Sequence, residues 1–209
     1  MGFSSPSLRV ATALALTVLA FGARAAQEDP ARKEKIFLDA KSSDVDYKKN
    51  IVHFTNIVVS QGDIKVEADH AEAEATGLNF KTGVWTFSGN VRVHVEKRGN
   101  LHSDQAVIEF KDSQIEKATV TGKPAEFEQQ RVGTNQIARG HADQIVYEPA
   151  AGVVRLSNDA WITDGKNEIR GPLLTYNIRE QHVEAVSQPG KEDRVHITIN
   201  PNQEERPTK

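Results

Sequence analysis

The 209-residue chain contains no cysteine, so no disulfide holds it together and no thiolate serves as a nucleophile or metal ligand. The sequence also lacks the GxSxG motif of a serine nucleophile and any glycine-rich phosphate loop. These absences remove the commonest catalytic signatures. They favour a binding or structural protein over an enzyme.

Long apolar runs are scarce as well. The one near the N-terminus, residues 10–23, follows Arg9 and ends in an Ala-Arg-Ala tripeptide at 23–25. A run of this length is typical of a signal peptide and is shorter than the roughly 20 residues of a membrane-spanning helix. We predict a cleaved signal peptide over 1–25, a short leader over 26–34 and export of the remainder.

Positive charge is not concentrated anywhere in the chain. The sequence has 26 Lys and Arg against 29 Asp and Glu. Removing residues 1–25, which hold two Arg and no acid, leaves 24 against 29 and a net charge of −5. Nucleic acids and anionic membrane surfaces are bound by clustered Lys and Arg. We therefore expect no nucleic-acid partner.

One short phrase recurs along the sequence. VWTFSGNVRV at 84–93 has weaker copies in HFTNIVV from His53, TVTGKPAEF from Thr119 and RLSNDAWI from Arg155. Five further segments align with a small residue first and usually an apolar or aromatic residue sixth: SSDVDY at 42–47, ADHAEA at 68–73, SDQAVI at 103–108, ADQIVY at 142–147 and GPLLTY at 171–176. Self-similarity at this spacing predicts repeated supersecondary units.

The repeated units have the pattern of β-strands. Apolar residues alternate with charged ones, as in Val91, Val93 and Val95, which indicates strands with one buried face. The segment at 66–76 alternates at period two as readily as it mimics a helix, and we predict strand or coil there. Gly89-Asn90 fits either a hairpin turn or a bulge where a long strand bends. The sequence predicts an all-β antiparallel fold of about five strand-turn-strand units.

Metal and acid-base sites have little support. No two of the seven His residues stand at HxH or HxxxH spacing, and we predict solvent-facing or cross-strand roles for them and no metal or cofactor. Asp69, Asp104 and Asp143 follow the small residue of three units, singly, which favours turn or solvent-facing roles. The alternative is a secreted β-sandwich or β-helix enzyme acting on polysaccharide, with one of these Asp as the acid.

The apolar residues support two interpretations. Aromatic side chains are spread over every repeat together with many Val and Ile. They fill the space between two sheets in one interpretation. In the other, they line a partly open groove that takes a ligand with acyl chains. The pattern alone leaves both open.

Four phrases, in order, carry a resemblance to a known family. They are IVHFTNIVVSQGDIKV at 51–66, GKPAEFEQ at 122–129, GHADQIVYE at 140–148 and EIRGPLLTYNIREQHVEA at 168–185. Together they resemble the LptA (OstA) family of periplasmic lipopolysaccharide-transport proteins of Gram-negative bacteria. The resemblance covers roughly residues 35–200.

The resemblance implies an antiparallel β-jellyroll, V-shaped in section, spanning residues 35–199 and followed by a loose tail at 200–209. Its apolar interior would shield the acyl chains of lipopolysaccharide while the sugars face water. The implied partners are an LptC-like inner-membrane component at the N-terminal end, an LptD-like outer-membrane translocon at the C-terminal end, and further copies stacked head to tail. Edge strands would make these contacts by pairing.

Three groove residues follow from matching the family position by position. They are Ile36 near the entry end, facing the lumen and the inner-membrane partner, and Phe127 and Tyr147 at lumen positions beside the lipid. Further lining residues are predicted from the alternation of apolar positions: Val66, Phe87, Val93, Ile108, Leu156, Ile162 and Leu174.

The chain departs from shorter family members by what resembles one additional unit near 72–104, which would lengthen the groove. The membrane-anchored component LptC, which shares the fold, is the alternative within the same lipid class. The short apolar run at 10–23 and the Ala-Arg-Ala tripeptide favour a cleaved, LptA-like protein instead.

Overall fold

The computed structural model describes residues 35–75, 82–112, 114–130, 137–180, 182–187 and 194–200. The predicted signal peptide and leader, and all of the predicted tail except Asn200, lie outside the described residues. The regular elements are eleven strands: β1 Phe37–Asp46, β2 Ile51–Gln61, β3 Ile64–Ala75, β4 Gly83–Val95, β5 Gly99–Lys111, β6 Gln114–Gln130, β7 Ile137–Glu148, β8 Val153–Thr163, β9 Glu168–Asn177, β10 His182–Val186 and β11 His196–Thr198. Over these described ranges, no helix has the length and apolar character needed to cross a membrane.

All eleven strands form one antiparallel sheet. Each strand from β1 to β10 pairs with its neighbours in chain order, and β11 pairs with β9 beside β10. The all-β antiparallel prediction is confirmed. The ambiguous segment at 66–76 belongs to β3 up to Ala75, so its period-two alternation was the correct indication and not its helical one.

A line of register shifts crosses the middle of the sheet. From β3 to β9, every neighbouring pair of strands has a shift at the same level, at Glu67/His70, Ser88/Val91, His102/Gln105, Thr121/Ala125, His141/Gln144 and Ser157/Ala160. Bulges bend strands and increase their twist. The sheet folds along this line into two walls, and buried side chains from both walls form a single apolar cluster.

The recurring sequence phrase marks these bulges. Gly89 and Asn90 have φ of 75° and 48° and lie inside β4, so the pair is a bulge and not a hairpin turn. Asn158 and Asp159 occupy the same level of β8, also with positive φ. The phrase therefore spans one bent strand. The hairpin turns lie elsewhere, for example at residues 96–98 between β4 and β5.

The small residue that begins four of the five aligned segments faces the inside of the bend, whereas Ser42 of the first segment is exposed. Ala68, Ser103 and Ala142 are 7%, 1% and 0% exposed, and Gly171 of β9 is also buried. Two walls converge at a fold, and only short side chains fit between them there. The repeated small residue is thus explained by packing at the bend.

The Asp that follows the small residue has a structural contact in β3. Its carboxylate, Asp69 Oδ2, accepts a hydrogen bond of 2.7 Å from the Asn90 side-chain amide in the β4 bulge. A Cβ added to Gly89 would lie 2.7 Å from the same oxygen, so only glycine allows Asp69 this close to the strand. This arrangement gives Asp69 a cross-strand role at the bend.

Candidate functional site

The inward positions of β2 to β9 form one apolar interior. Phe54 and Ile57 of β2 lie at one end of the cluster and Leu174 and Tyr176 of β9 at the other, all less than 9% exposed. Period two brings successive inward side chains of each strand to the same face. The interior is therefore continuous across eight strands.

The structure places nine of the ten predicted groove residues on this inward face. Six are core members: Phe87, Phe127, Tyr147, Leu156, Ile162 and Leu174. Three are partly buried and pack against the core: Val66, Val93 and Ile108. Their contact with a ligand stays a prediction.

Ile36 differs from the other nine. It lies immediately before β1 and is 64% exposed. All of β1 except Asp46 is exposed, because this strand pairs with β2 but packs little against the interior. Ile36 is thus part of an exposed N-terminal edge and lies outside the buried cluster.

An aromatic stack in the interior was not singled out by sequence reasoning. The Trp85 ring stacks between Phe54 and Phe87, with ring centroids 6.0 Å and 5.7 Å away. The stack crosses from β2 to β4, passing over Ala71 and Ala73 of β3. The sequence signal for this stack is that β2 and β4 carry large inward residues, whereas β3, which lies between them, carries alanines.

Phe127 owes its position to a glycine on the neighbouring strand. Gly140 of β7 pairs with Phe127 of β6, and a Cβ at Gly140 would lie 2.4 Å from the Phe127 ring. The ring therefore lies directly on the β7 backbone. This close approach makes the ring of Phe127 part of the inner wall.

Few polar groups face the interior. The Ser103 hydroxyl lies at the bend, in a residue that is 1% exposed, and has no hydrogen-bond partner in the part of the chain that the structure describes. Tyr147 is 2% exposed, and burial raises the pKa of its phenol above the ordinary value of 10.0. Burial disfavours the charged phenolate.

Burial of Tyr147 predicts a loss of stability at alkaline pH. As the pH rises above about 10, the unfolded chain releases the phenol proton first, so the free energy of unfolding falls. Tyr147→Phe removes this titration, and we expect a smaller drop between about pH 8 and about pH 11. Urea titrations of the parent protein and the variant at both pH values measure the change in the free energy of unfolding. An equal drop in the variant would show that Tyr147 does not contribute.

The outward face is polar, and its side chains make hydrogen bonds and ion pairs between neighbouring strands. His94 Nδ1 lies 2.6 Å from Asn100 Oδ1, and the Asn100 amide donates to Glu128 at 3.0 Å. The Arg139 guanidinium lies 3.7 Å from the same Glu128. These contacts join β4, β5, β6 and β7 on the side opposite the apolar cluster. The two faces of the sheet thus have different chemistry.

The His residues and acids that the structure describes form no convergent ligand set. No three His, Asp or Glu side chains within the described ranges come together in a way that would hold a metal ion. His53 instead lies 3.2 Å from Glu72, and His141 lies 3.7 Å from Asp159 and stacks on Trp161. These are cross-strand contacts.

Both ends of the sheet expose apolar side chains. At the β1 end, Phe37 is 60% and Tyr47 77% exposed. At the β9 end, Ile197 of β11 is 61% and Ile199 71% exposed. Edge strands with exposed apolar residues are sites where another strand can pair.

Comparison with known proteins gives consistent matches. The family model described as "LptA/(LptD N-terminal domain) LPS transport protein" matches residues 70–182, more than half of the chain. The lipopolysaccharide export system protein LptA of Escherichia coli is 32% identical over 136 residues, which cover 64% of this chain and 71% of that protein. LptH of Pseudomonas aeruginosa, also named a lipopolysaccharide export system protein, is 28% identical over 122 residues, covering 58% and 67%.

Among solved structures, the chain is similar to LptH of Pseudomonas aeruginosa, described as the LptA-homologous periplasmic component of the lipopolysaccharide transport device. The TM-score is 0.45 at 20% sequence identity, and the match covers 82% of this chain and 99% of that one. The relatives matched by sequence are named as transport proteins and not as enzymes. The family match and the identity to LptA show that the chain belongs to the LptA/(LptD N-terminal domain) family of lipopolysaccharide transport proteins.

Proposed function

We propose that the protein binds lipopolysaccharide through the acyl chains of lipid A and carries it across the periplasm from the inner to the outer membrane. One observation carries the proposal: inward apolar side chains from eight strands meet in a single interior, while the outward face is charged. Such an interior fits acyl chains and not a polysaccharide. The names of the relatives supply the ligand class.

Burial of an acyl chain supplies the affinity. Each methylene removed from water contributes about 0.8 kcal/mol. The interior side chains already bury one another, so an acyl chain enters by separating the two walls and replaces contacts that the walls lose. Net affinity is therefore far below the full transfer free energy, which suits a carrier that must release its cargo.

Directional movement needs energy from a partner, because the sequence has no nucleotide-binding motif. An inner-membrane ABC transporter is the proposed source. The exposed edge at β1 receives lipid from an LptC-like component, and the β9 to β11 end delivers it to an LptD-like translocon. The same two edges allow copies to stack head to tail by strand pairing.

The periplasm is the proposed location, after removal of the signal peptide at 1–25. The family's membrane-anchored fold relative, LptC, remains the alternative. Sequencing the N-terminus of the exported protein distinguishes a cleaved from an anchored chain.

A photo-crosslinking residue at Phe127 tests the groove directly. Because Phe127 is 7% exposed on the inner wall, we expect a lipopolysaccharide adduct at this position in growing Gram-negative cells. Lys111, exposed at the end of β5, is the matched position outside the interior and should give none. The readout is an adduct detected on the purified protein with antibody to lipopolysaccharide.

Two results would contradict the groove. Equal adducts at 127 and 111 would mean that lipid covers the protein without entering it. A folded, exported protein with no adduct at either position would leave the polysaccharide enzyme as the function to test next, by changing Asp69, Asp104 and Asp143 to Asn in turn.

A further inference from the structure

A recess lies on the outward face of the sheet, where β2, β3 and β4 run side by side. Its volume is about 340 Å³, and its lining includes Phe54 and Ala71, whose side chains point to the opposite face and belong to the apolar interior. The side chains around it are His53, Thr55, His70, Glu72, Thr86 and Ser88. This recess is separate from the apolar interior, because it opens on the other face of the same strands.

The polar side chains of the recess form a regular grid. Thr55, His70 and Ser88 are cross-strand partners in one row. The second row, two residues along each strand, consists of His53, Glu72 and Thr86. Neighbouring strands are about 4.8 Å apart and residues two positions apart about 6.8 Å. The grid thus covers an area close to that of one or two pyranose rings.

A bulge lies next to the recess. The register between β3 and β4 shifts immediately beyond His70 and Ser88, and Asn56 of β2 has a φ of 48° at the same level. The hydrogen bond between Asn90 and Asp69 fixes this bulge. The bulge therefore borders the recess at its His70 and Ser88 end.

The chemistry of the recess favours a neutral polyhydroxyl ligand. Three hydroxyls, two imidazoles and one carboxylate offer both donors and acceptors at short spacing. Among the described residues, no Lys or Arg lines the recess, and the negative charge of Glu72 would repel a phosphate or carboxylate ligand. A metal ion is disfavoured, since no three ligand-type side chains converge here or elsewhere within the described ranges.

From this combination we propose that the recess on β2 to β4 is a binding site for a neutral saccharide, with the Glu72 carboxylate and the Thr86 hydroxyl as its principal hydrogen-bonding groups. The shared ligand chemistry is an uncharged sugar ring, which occurs in the outer sugars of lipopolysaccharide and in the N-acetylglucosamine units of the cell-wall glycan. The site does not depend on the lipid groove, because it uses the opposite side chains of the strands.

Amide NMR spectra of the purified protein, recorded during titration, test the proposal. The probes are an uncharged outer-sugar oligosaccharide of lipopolysaccharide, free of phosphate and of acidic sugars, the N-acetylglucosamine disaccharide as the uncharged counterpart of the cell-wall glycan, and inorganic phosphate. We expect one of the two saccharides to shift amides of β2, β3 and β4 around the recess, and the tighter binder identifies the source. Phosphate should leave these amides unchanged.

Variants assign the binding to the recess. Glu72→Gln keeps the shape of the side chain and should weaken saccharide binding about ten-fold or more, because a hydrogen bond to a charged group is lost. Thr86→Val should weaken it several-fold. Thr119→Val is the matched control, since Thr119 lies on the outward face of β6 in the same cross-strand row, beyond the recess.

Three outcomes would overturn the proposal: shifts with phosphate but with neither saccharide, saccharide shifts that map away from β2 to β4, or no saccharide shifts at all. Equal binding by Glu72→Gln, Thr86→Val and the parent protein would also overturn it. The lipid adduct at position 127 is measured on the parent protein. Failure of the lipid groove is therefore scored separately from failure of this site.

Discussion

Gly99→Ala is expected to lower the free energy of unfolding by at least about 3 kcal/mol. Gly99 begins β5 just after the tight turn from β4 and has a φ of +151°, a conformation that residues with a Cβ rarely adopt. An added Cβ would lie 2.1 Å from the backbone oxygen of Glu128. Backbone atoms cannot rotate away, so β5 and β6 would have to separate.

Gly165→Ala is the matched control for this prediction. Gly165 also has a positive φ, +89°, but the atom nearest to an added Cβ is the Ile137 backbone oxygen at 3.6 Å. The control variant therefore has the backbone strain but no steric clash. We expect its free energy of unfolding to fall by about 1 kcal/mol. Urea unfolding of both variants measures the difference. Similar losses for the two would mean that β5 and β6 absorb the collision.

Leu174→Ala should lower the free energy of unfolding by about 2–5 kcal/mol, because it removes a fully buried side chain from the interior. Leu174 is 1% exposed and belongs to the apolar cluster on β9. The cost includes the lost burial and the cavity that remains, since the two walls can collapse only partly. Chemical denaturation, monitored by circular dichroism, gives the value.

The same substitution at Leu38 provides the comparison. Leu38 lies in β1 and is 38% exposed, so we expect Leu38→Ala to lower the free energy of unfolding by less than about 1 kcal/mol. A loss at Leu38 as large as that at Leu174 would show that β1 packs into the interior, contrary to its exposure. If Leu174→Ala were nearly neutral, the interior would be a loosely filled groove and not a packed core.

The strands and their inward faces could be predicted from the sequence because both follow from local alternation. Val93 and Leu156, for example, point inward as their period-two neighbours suggest. The alternation shifts by one residue at the bend, however. In β3 the inward residues are Val66 and Ala68 before the bulge and Ala71 and Ala73 after it.

The bulges could not be identified from sequence for a physical reason. Gly89-Asn90 adopts positive φ in a bulge as it would in a hairpin turn, so local chemistry is the same in both. The distinction depends on whether β4 continues to pair with β3 and β5 beyond the pair, which is a non-local property. The recess on β2 to β4 was missed for the same reason, since His53, Glu72 and Thr86 meet only through strand pairing.

The line of bulges gives each of these strands its own bend. From β3 to β9, each strand carries its own shift in register at the bend, so the cross-section is a property of the repeating unit and the length is a property of the number of units. In an antiparallel sheet, one added strand reverses the direction of the terminal edge, whereas two restore it. The predicted additional unit at 72–104 spans β4 with parts of β3 and β5, equivalent to about two strands. Lengthening by such pairs would extend the sheet without changing its cross-section and would keep the direction of its terminal edge strands.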